Sequence, residues 1–261
     1  MKVVLFCGGL GTRLREYSET IPKPMVPLGY RPVMWHVMKY YAHYGHTEFI
    51  LALGYQADVI KNFFLNYDEA VSNDFVMSSG GRQIDYLATD IDEWTITFAD
   101  TGINATIADR LQAVRPYVGD DEMFLANYSD GLTDLPLDRY VDEFEASGNI
   151  AKILLVQPPL TYHRVTSAED GQVTGIEPVV GSDLWINGGY FAMRSEIFDY
   201  IEPGEEVAGE VFDRLIKIGR LGSHHYEGFW APMDTFKDKQ RLDEMYASGA
   251  APWEVWKGDR A

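Results

Sequence analysis

The segment Cys7-Gly8-Gly9-Leu10-Gly11-Thr12-Arg13 follows an apolar run and places three glycines, a hydroxyl and a guanidinium close together. Glycine lets backbone N–H groups approach an anion, while threonine adds a donor and arginine a fork that matches phosphate oxygens. Further along, Pro22-Lys23-Pro24 holds a lysine between two prolines that restrict its backbone. A stiff lysine near a glycine loop suits a triphosphate, although an isolated Lys23 would read as a solvated side chain in a turn. Two familiar phosphate loops are excluded. A dinucleotide fingerprint needs glycine where Leu14 stands, and no Gly-Lys-Ser/Thr completes a Walker A loop.

The elements that must carry this loop read as alternating strands and helices. Lys2 to Cys7, Glu48 to Leu53 and Ala151 to Val156 have the continuous apolar character of buried parallel strands. Helical patterns cover Val33 to Tyr44, Ala57 to Phe64, Asp109 to Val118 and Asp138 to Ser147. This alternation predicts a Rossmann-like α/β domain with a mostly parallel central sheet flanked by helices. Its loop after Cys7 would lie outside the carboxyl ends of the strands, where such sheets bind ligands. The expected organisation is one domain over 1–261, with a β hairpin or lid at 73–100 and a second small antiparallel β segment at 157–185.

Charge narrows the partners. With 40 acidic and 22 basic residues the formal charge is −18, which repels nucleic acid and anionic membranes. Neither is expected as a partner. The same field opposes a phosphorylated ligand, so local cations, backbone N–H groups or a divalent metal must outweigh it. Cys7 is the only cysteine, which excludes an intrachain disulfide and a multi-cysteine zinc site and leaves a buried, inert thiol as the expectation. The apolar start stops at Gly8, too short for a secretory core, and no long apolar segment follows. A cytoplasmic protein is expected. His36 reads as a packing residue, and the other histidines show no metal spacing.

The ordered set of motifs is more specific than any one of them. GGLGTRL is followed by PKPMVPLGYRPVMWHVM, GYQADVIKNFF, Asp100-Thr101-Gly102, YSDGLTDL, INGGYF, GFWAPMDTFKDK and the tail APWEVW. This set resembles the nucleotidyltransferases that join a nucleoside triphosphate to a sugar 1-phosphate, closest to the glucose-1-phosphate cytidylyltransferases. The resemblance covers nearly the whole chain. It implies attack of a sugar 1-phosphate oxygen on the α-phosphorus of CTP, dependent on Mg²⁺, with release of pyrophosphate. It also implies a homo-oligomer.

Carried over position by position, the resemblance makes Arg13, Lys23 and Asp130 catalytic and assigns Mg²⁺ to Asp130 and Asp234. The nucleotide would be held by Gly8, Gly9, Gly11, Thr12, Arg13, Lys23, Thr101, Arg110 and Asp130, with Arg110 near the cytidine end. The acceptor would meet Arg164, Glu177, Asn187 and Gly188. Read as residues alone, Asp130 is equally a turn carboxylate before Gly131, and Asp234 a helix N-cap.

Three departures from the family pattern stand out. Ala108-Asp109 precede Arg110 where the family has two glycines. Glu177-Pro178 lack the intervening lysine that would meet the acceptor phosphate, a role left to Arg164 or His163, or to a different acceptor. Ser129 replaces a glycine before Asp130, which the backbone tolerates easily only at negative φ. Two other function classes remain. One is a nucleotide- or sugar-phosphate-binding protein without turnover. The other is a glycosyltransferase using Ser129-Asp130 and Asp134 as an acidic motif, disfavoured by the triphosphate loop.

Overall fold

The computed structural model describes residues 1–8, 21–159, 162–179 and 181–258. The loop positions Gly9, Gly11, Thr12 and Arg13 lie outside the described residues.

Strand β1 (Val3–Phe6) shows why its sequence is apolar throughout. Val3 and Leu5 point into one buried layer and Val4 and Phe6 into the other. Six further strands complete the sheet: β2 (Glu48–Leu53), β3 (Thr95–Asp100), β4 (Met123–Asn127), β5 (Ala151–Val156), β6 (Ile186–Arg194) and β7 (Leu221–Tyr226). Their order is β3-β2-β1-β4-β6-β5-β7. Neighbours are parallel except at β6, which runs antiparallel to both β4 and β5. The expected mostly parallel α/β architecture is therefore observed.

Helices cover both faces. Helix α1 (Val33–His43), α2 (Ala57–Leu65) and α4 (Leu137–Glu145) pack into the first layer, while α3 (Ile107–Val118) and α5 (Phe212–Lys217) pack into the second. Helix α6 (Phe236–Ala247) adds Leu242 to the first layer, and Trp253 of the tail is fully buried there. No helix among the described residues is long and apolar enough to cross a membrane.

The stretch 73–100 divides into two parts. Phe75–Ser78 and Gln83–Tyr86 form a two-stranded hairpin, whereas Thr95–Asp100 leaves it and becomes the edge strand β3, in register with β2. Ile96 and Phe98 pack on the first layer and Ala99 on the second, so burial on both faces draws this strand into the sheet. The hairpin's base is held by Arg31, which donates to Ser72 Oγ at 2.8 Å and to the Asp68 carbonyl at 2.8 Å and stacks over Tyr67. A second hairpin, His163–Ser167 with Val173–Pro178, lies between β5 and β6.

His36 ties the tail to the start of the fold. Its Nε2–H donates to the Leu28 carbonyl at 2.9 Å, and its Nδ1 accepts from the Trp253 indole at 3.3 Å. Both partners require the neutral ring. Burial, helped by the Lys257 charge, pushes its pKa down from 6.5 to about 4. The folded-state pKa lies below the unfolded value, so this group's contribution to stability is complete above pH ~6.5 and is lost as pH falls towards 4. The expected loss is about 3 kcal/mol, from 1.36 kcal/mol per unit. Urea unfolding of the parent and of His36→Gln between pH 7 and 4 checks it: the glutamine variant should lose less stability over that interval. Equal losses would refute the assignment.

Candidate active site

Asp130 and Asp234 are far apart in sequence, and a small antiparallel ribbon brings them together. Gly131–Thr133 begins directly after Asp130, and Trp230–Pro232 ends two residues before Asp234. Gly131 pairs with Pro232 and Leu132 with Ala231, and the Met233 N–H donates to the Asp130 carbonyl at 2.9 Å. Helix α6 begins just beyond. Its N-cap is Thr235, whose hydroxyl accepts from the Asp238 N–H at 3.2 Å while the Asp238 carboxylate accepts from the Thr235 N–H at 2.8 Å. Thr235 thus takes the capping role, and Asp234 turns its carboxylate towards Lys23 instead.

Lys23 opens a short 3₁₀ turn, Lys23–Met25, with Pro22 before it and Pro24 within it. Its ammonium lies 2.5 Å from Asp130 Oδ2 and also donates to Asp234 Oδ1. The three side chains are only 17%, 19% and 34% exposed for Lys23, Asp130 and Asp234 respectively. Burial opposes the Lys23 charge, but the two carboxylates outweigh it and hold its pKa above the ordinary lysine value. Two hard oxygen donors converging on one positive charge also fit a divalent cation. Among the described residues no cluster of three or more metal-ligating side chains occurs. Such a pair matches Mg²⁺, which keeps waters and takes substrate phosphates as further ligands, better than it matches a closed protein cage.

A cavity of about 330 Å³ opens beside the two aspartates and is also lined by Tyr128, Asn187, Gly188 and Trp230. The reversed direction of β6 matters here. It places the amino end of β6, with Asn187 and Gly188, at the carboxyl edge of β4, where Tyr190 pairs with Asn127. The Trp230 indole donates to the Gly188 carbonyl at 2.9 Å, and Asn187 Oδ1 accepts from the Gly189 N–H at 2.9 Å. Gly189 has φ +74, and a Cβ there would stand 2.6 Å from the Tyr128 ring. Glycine is required at that position.

The structure brings some of the expected acceptor residues to this cavity and leaves others apart. Asn187 and Gly188 line it, whereas Arg164 and Glu177 do not. Those two face each other across the second hairpin, 3.8 Å apart and both more than half exposed, and Arg164 also lies 3.7 Å from Asp183. His163 is exposed on the same hairpin, opposite Pro178.

Arg110 is buried among protein acceptors. Its Nη1 donates to the Leu53 carbonyl at 3.1 Å and to Thr101 Oγ1 at 2.7 Å, and its Nη2 to the carbonyls of Gly8 at 3.1 Å and Ile103 at 3.3 Å. Thr101 in turn donates to the Leu53 carbonyl at 2.7 Å. This guanidinium joins the carboxyl ends of β1, β2 and β3. A Cβ on Gly8 or Gly54 would stand 2.1 or 2.6 Å from it, so these glycines make room for an arginine. The Ala108-Asp109 departure is explained locally: Asp109 closes a capping box with Thr106 at the start of α3, and Ala108 is buried behind it.

Ser129 is the departure that constrains the backbone. Its φ is +67, not negative, so the backbone before Asp130 is left-handed despite the side chain. The residues that sequence reasoning missed are Tyr128 and Trp230. Adjacency to Asp130 and to Pro-Met-Asp was the only available signal for them.

The profile of the family described as nucleotidyl transferase matches residues 2–231. A probable glucose-1-phosphate cytidylyltransferase of Bacillus subtilis is 35% identical over 258 residues, covering 98% of this chain and all of the relative. The chain belongs to the sugar-1-phosphate nucleotidyltransferases. The glucose-1-phosphate cytidylyltransferase of Salmonella typhi is 36% identical over 260 residues, with the same coverage. A UTP-bound UGPase from Acinetobacter baumannii shares the fold, with a TM-score of 0.70 at 18% identity over 98% of this chain and 97% of that one. In this nucleotidyltransferase Lys23, Asp130 and Asp234 cluster together, and the two aspartates line a cavity with Asn187 and Gly188.

Proposed function

We propose that the enzyme transfers a cytidylyl group from CTP to a sugar 1-phosphate, glucose 1-phosphate or a close relative, with Mg²⁺ bound by Asp130 and Asp234. The observation that carries this reading is the Lys23 ammonium between two converged carboxylates that line a cavity together with Asn187 and Gly188. The end-to-end similarity to cytidylyltransferases supports the choice of CTP. Mannose-1-phosphate guanyltransferases align at about a quarter identity, 27% in one case, over 62% of their own length.

The acceptor phosphate is already ionised near neutral pH, so its oxygen attacks the α-phosphorus without a general base. One O–P bond forms, the bond from the α-phosphorus to the bridging oxygen breaks, and pyrophosphate leaves with that electron pair. When bound, Mg²⁺ supplies Lewis-acid neutralisation of the phosphate oxygens. Lys23 stabilises the charge developing on the transferred phosphoryl group, and the glycine loop with Arg13 holds the distal phosphates. Arg110 and Thr101 set the floor of the nucleotide subsite by fixing Gly8 and the ends of β1 to β3. Asn187 and Gly188 hold the sugar.

Pyrophosphate release from each of the four NTPs against a panel of sugar 1-phosphates with Mg²⁺ tests the proposal. CTP with a hexose 1-phosphate should be the best pair. Silence across all pairs would remove it, and a clear preference for another NTP would remove the base assignment.

A further inference from the structure

Ser129 stands between Tyr128, which packs against Gly189, and Asp130, which meets Lys23. It is fully buried at φ +67, a conformation that disfavours any residue with a Cβ. Glycine would adopt it freely, so something must compensate for serine. Its N–H donates to Asn127 Oδ1 at 2.7 Å, and its hydroxyl donates to the Phe6 carbonyl at 2.9 Å.

The two bonds have different reach. The first lies within the turn itself and stabilises it whatever side chain position 129 carries. The second crosses to the last residue of β1, immediately ahead of Cys7 and Gly8. It links the segment that presents the Asp130 carboxylate to the strand that delivers the glycine loop. A backbone outlier retained beside a reactive carboxylate, together with a hydroxyl reaching a neighbouring strand end, indicates a positional requirement rather than a locally convenient turn.

We propose that Ser129 is a positioning residue whose hydroxyl fixes the cation-binding Asp130 carboxylate relative to the exit of β1. This rests on Asp130 being a cation-binding carboxylate. Removing the hydroxyl while relieving the backbone, as in Ser129→Gly, frees the carboxylate without a net loss of fold. Removing it while keeping the backbone unfavourable, as in Ser129→Ala, affects both.

The test compares Ser129→Gly, Ser129→Ala and Asp130→Asn in the full chain by Tm, by calorimetric Mn²⁺ titration, and by kcat and KM for both substrates. Ser129→Gly is expected to keep a Tm within a few degrees of the parent, while Mn²⁺ affinity and kcat fall about fivefold and the acceptor KM stays unchanged. Ser129→Ala is expected to fall in Tm and in Mn²⁺ affinity together. Parental Mn²⁺ affinity and kcat in Ser129→Gly, beside an impaired Asp130→Asn, would overturn the role of Ser129 alone. Parental Mn²⁺ binding and turnover in Asp130→Asn would overturn the reading of Asp130 on which that role depends.

Discussion

Replacing Lys23 with methionine is expected to lower turnover at least tenfold, about 1.4 kcal/mol of lost transition-state stabilisation, while strengthening the binding of a divalent cation on its own. The two effects separate because one ammonium serves two relationships. In the proposed transfer it is a stabilising positive charge towards the triphosphate, and its removal slows the reaction. Towards Asp130 and Asp234 it is the resident counter-ion, 2.5 Å from the first and hydrogen-bonded to the second. A metal entering between these carboxylates meets repulsion from the lysine, and at an effective dielectric near 20 a unit-charge pair 4 Å apart interacts by ~4 kcal/mol. Relief of even part of that repulsion raises affinity by about tenfold or more. Methionine keeps most of the apolar stem and removes only the charge. Without metal the variant should be less stable than the parent, because two largely buried carboxylates lose the ammonium between them. Mn²⁺ titration by calorimetry, with thermal unfolding at increasing Mn²⁺, reads both effects. Unchanged or weaker metal binding in Lys23→Met would show that the lysine and the metal do not share these carboxylates.

Asp130→Asn is expected to be the mirror case. Asparagine preserves shape and one oxygen but removes the negative charge that both Lys23 and a metal use. Charge-assisted contacts of this kind are worth roughly 1.5–3 kcal/mol, so turnover should fall between about tenfold and a hundredfold, and Mn²⁺ affinity with it. The Met233 N–H bond to the Asp130 carbonyl involves the main chain and survives the substitution, so the ribbon should remain in register. A Tm near the parental value would confirm that the loss is chemical. Initial rates across a Mg²⁺ titration make the comparison: a defect that vanishes at high Mg²⁺ marks lost metal affinity, and one that persists marks lost transition-state stabilisation. Parental rates throughout would remove Asp130 from the site.

The difference between Lys23 and Arg110 shows how motif reading works and where it stops. Both are cations at matched positions. Lys23 lies at a site with two carboxylates and a cavity, whereas Arg110 spends its terminal nitrogens on four protein acceptors. Nothing in the residue type distinguishes an arginine that meets a ligand from one that braces the strands beneath it. Gly8 illustrates the same limit. As a sequence element it reads as part of a phosphate cradle, and in the fold its missing Cβ admits the Arg110 guanidinium.

The sequence by itself determined the strand and helix framework, because burial on both faces demands the unbroken apolar runs of β1, β2 and β5 and one-sided burial demands the helical periodicity of α2 to α4. It also placed Gly8, the first glycine of the loop, just beyond the carboxyl end of β1. The tertiary structure alone decided which distant side chains converge. Asp130 and Asp234 meet because the Gly131–Thr133 and Trp230–Pro232 ribbon pairs in one register. Asn187 reaches them because β6 runs against its neighbours. Ser129 is left-handed at φ +67, and its hydroxyl reaches the end of β1. Register, strand direction and backbone handedness are non-local outcomes of packing and hydrogen bonding, and no local pattern of residue types encodes them.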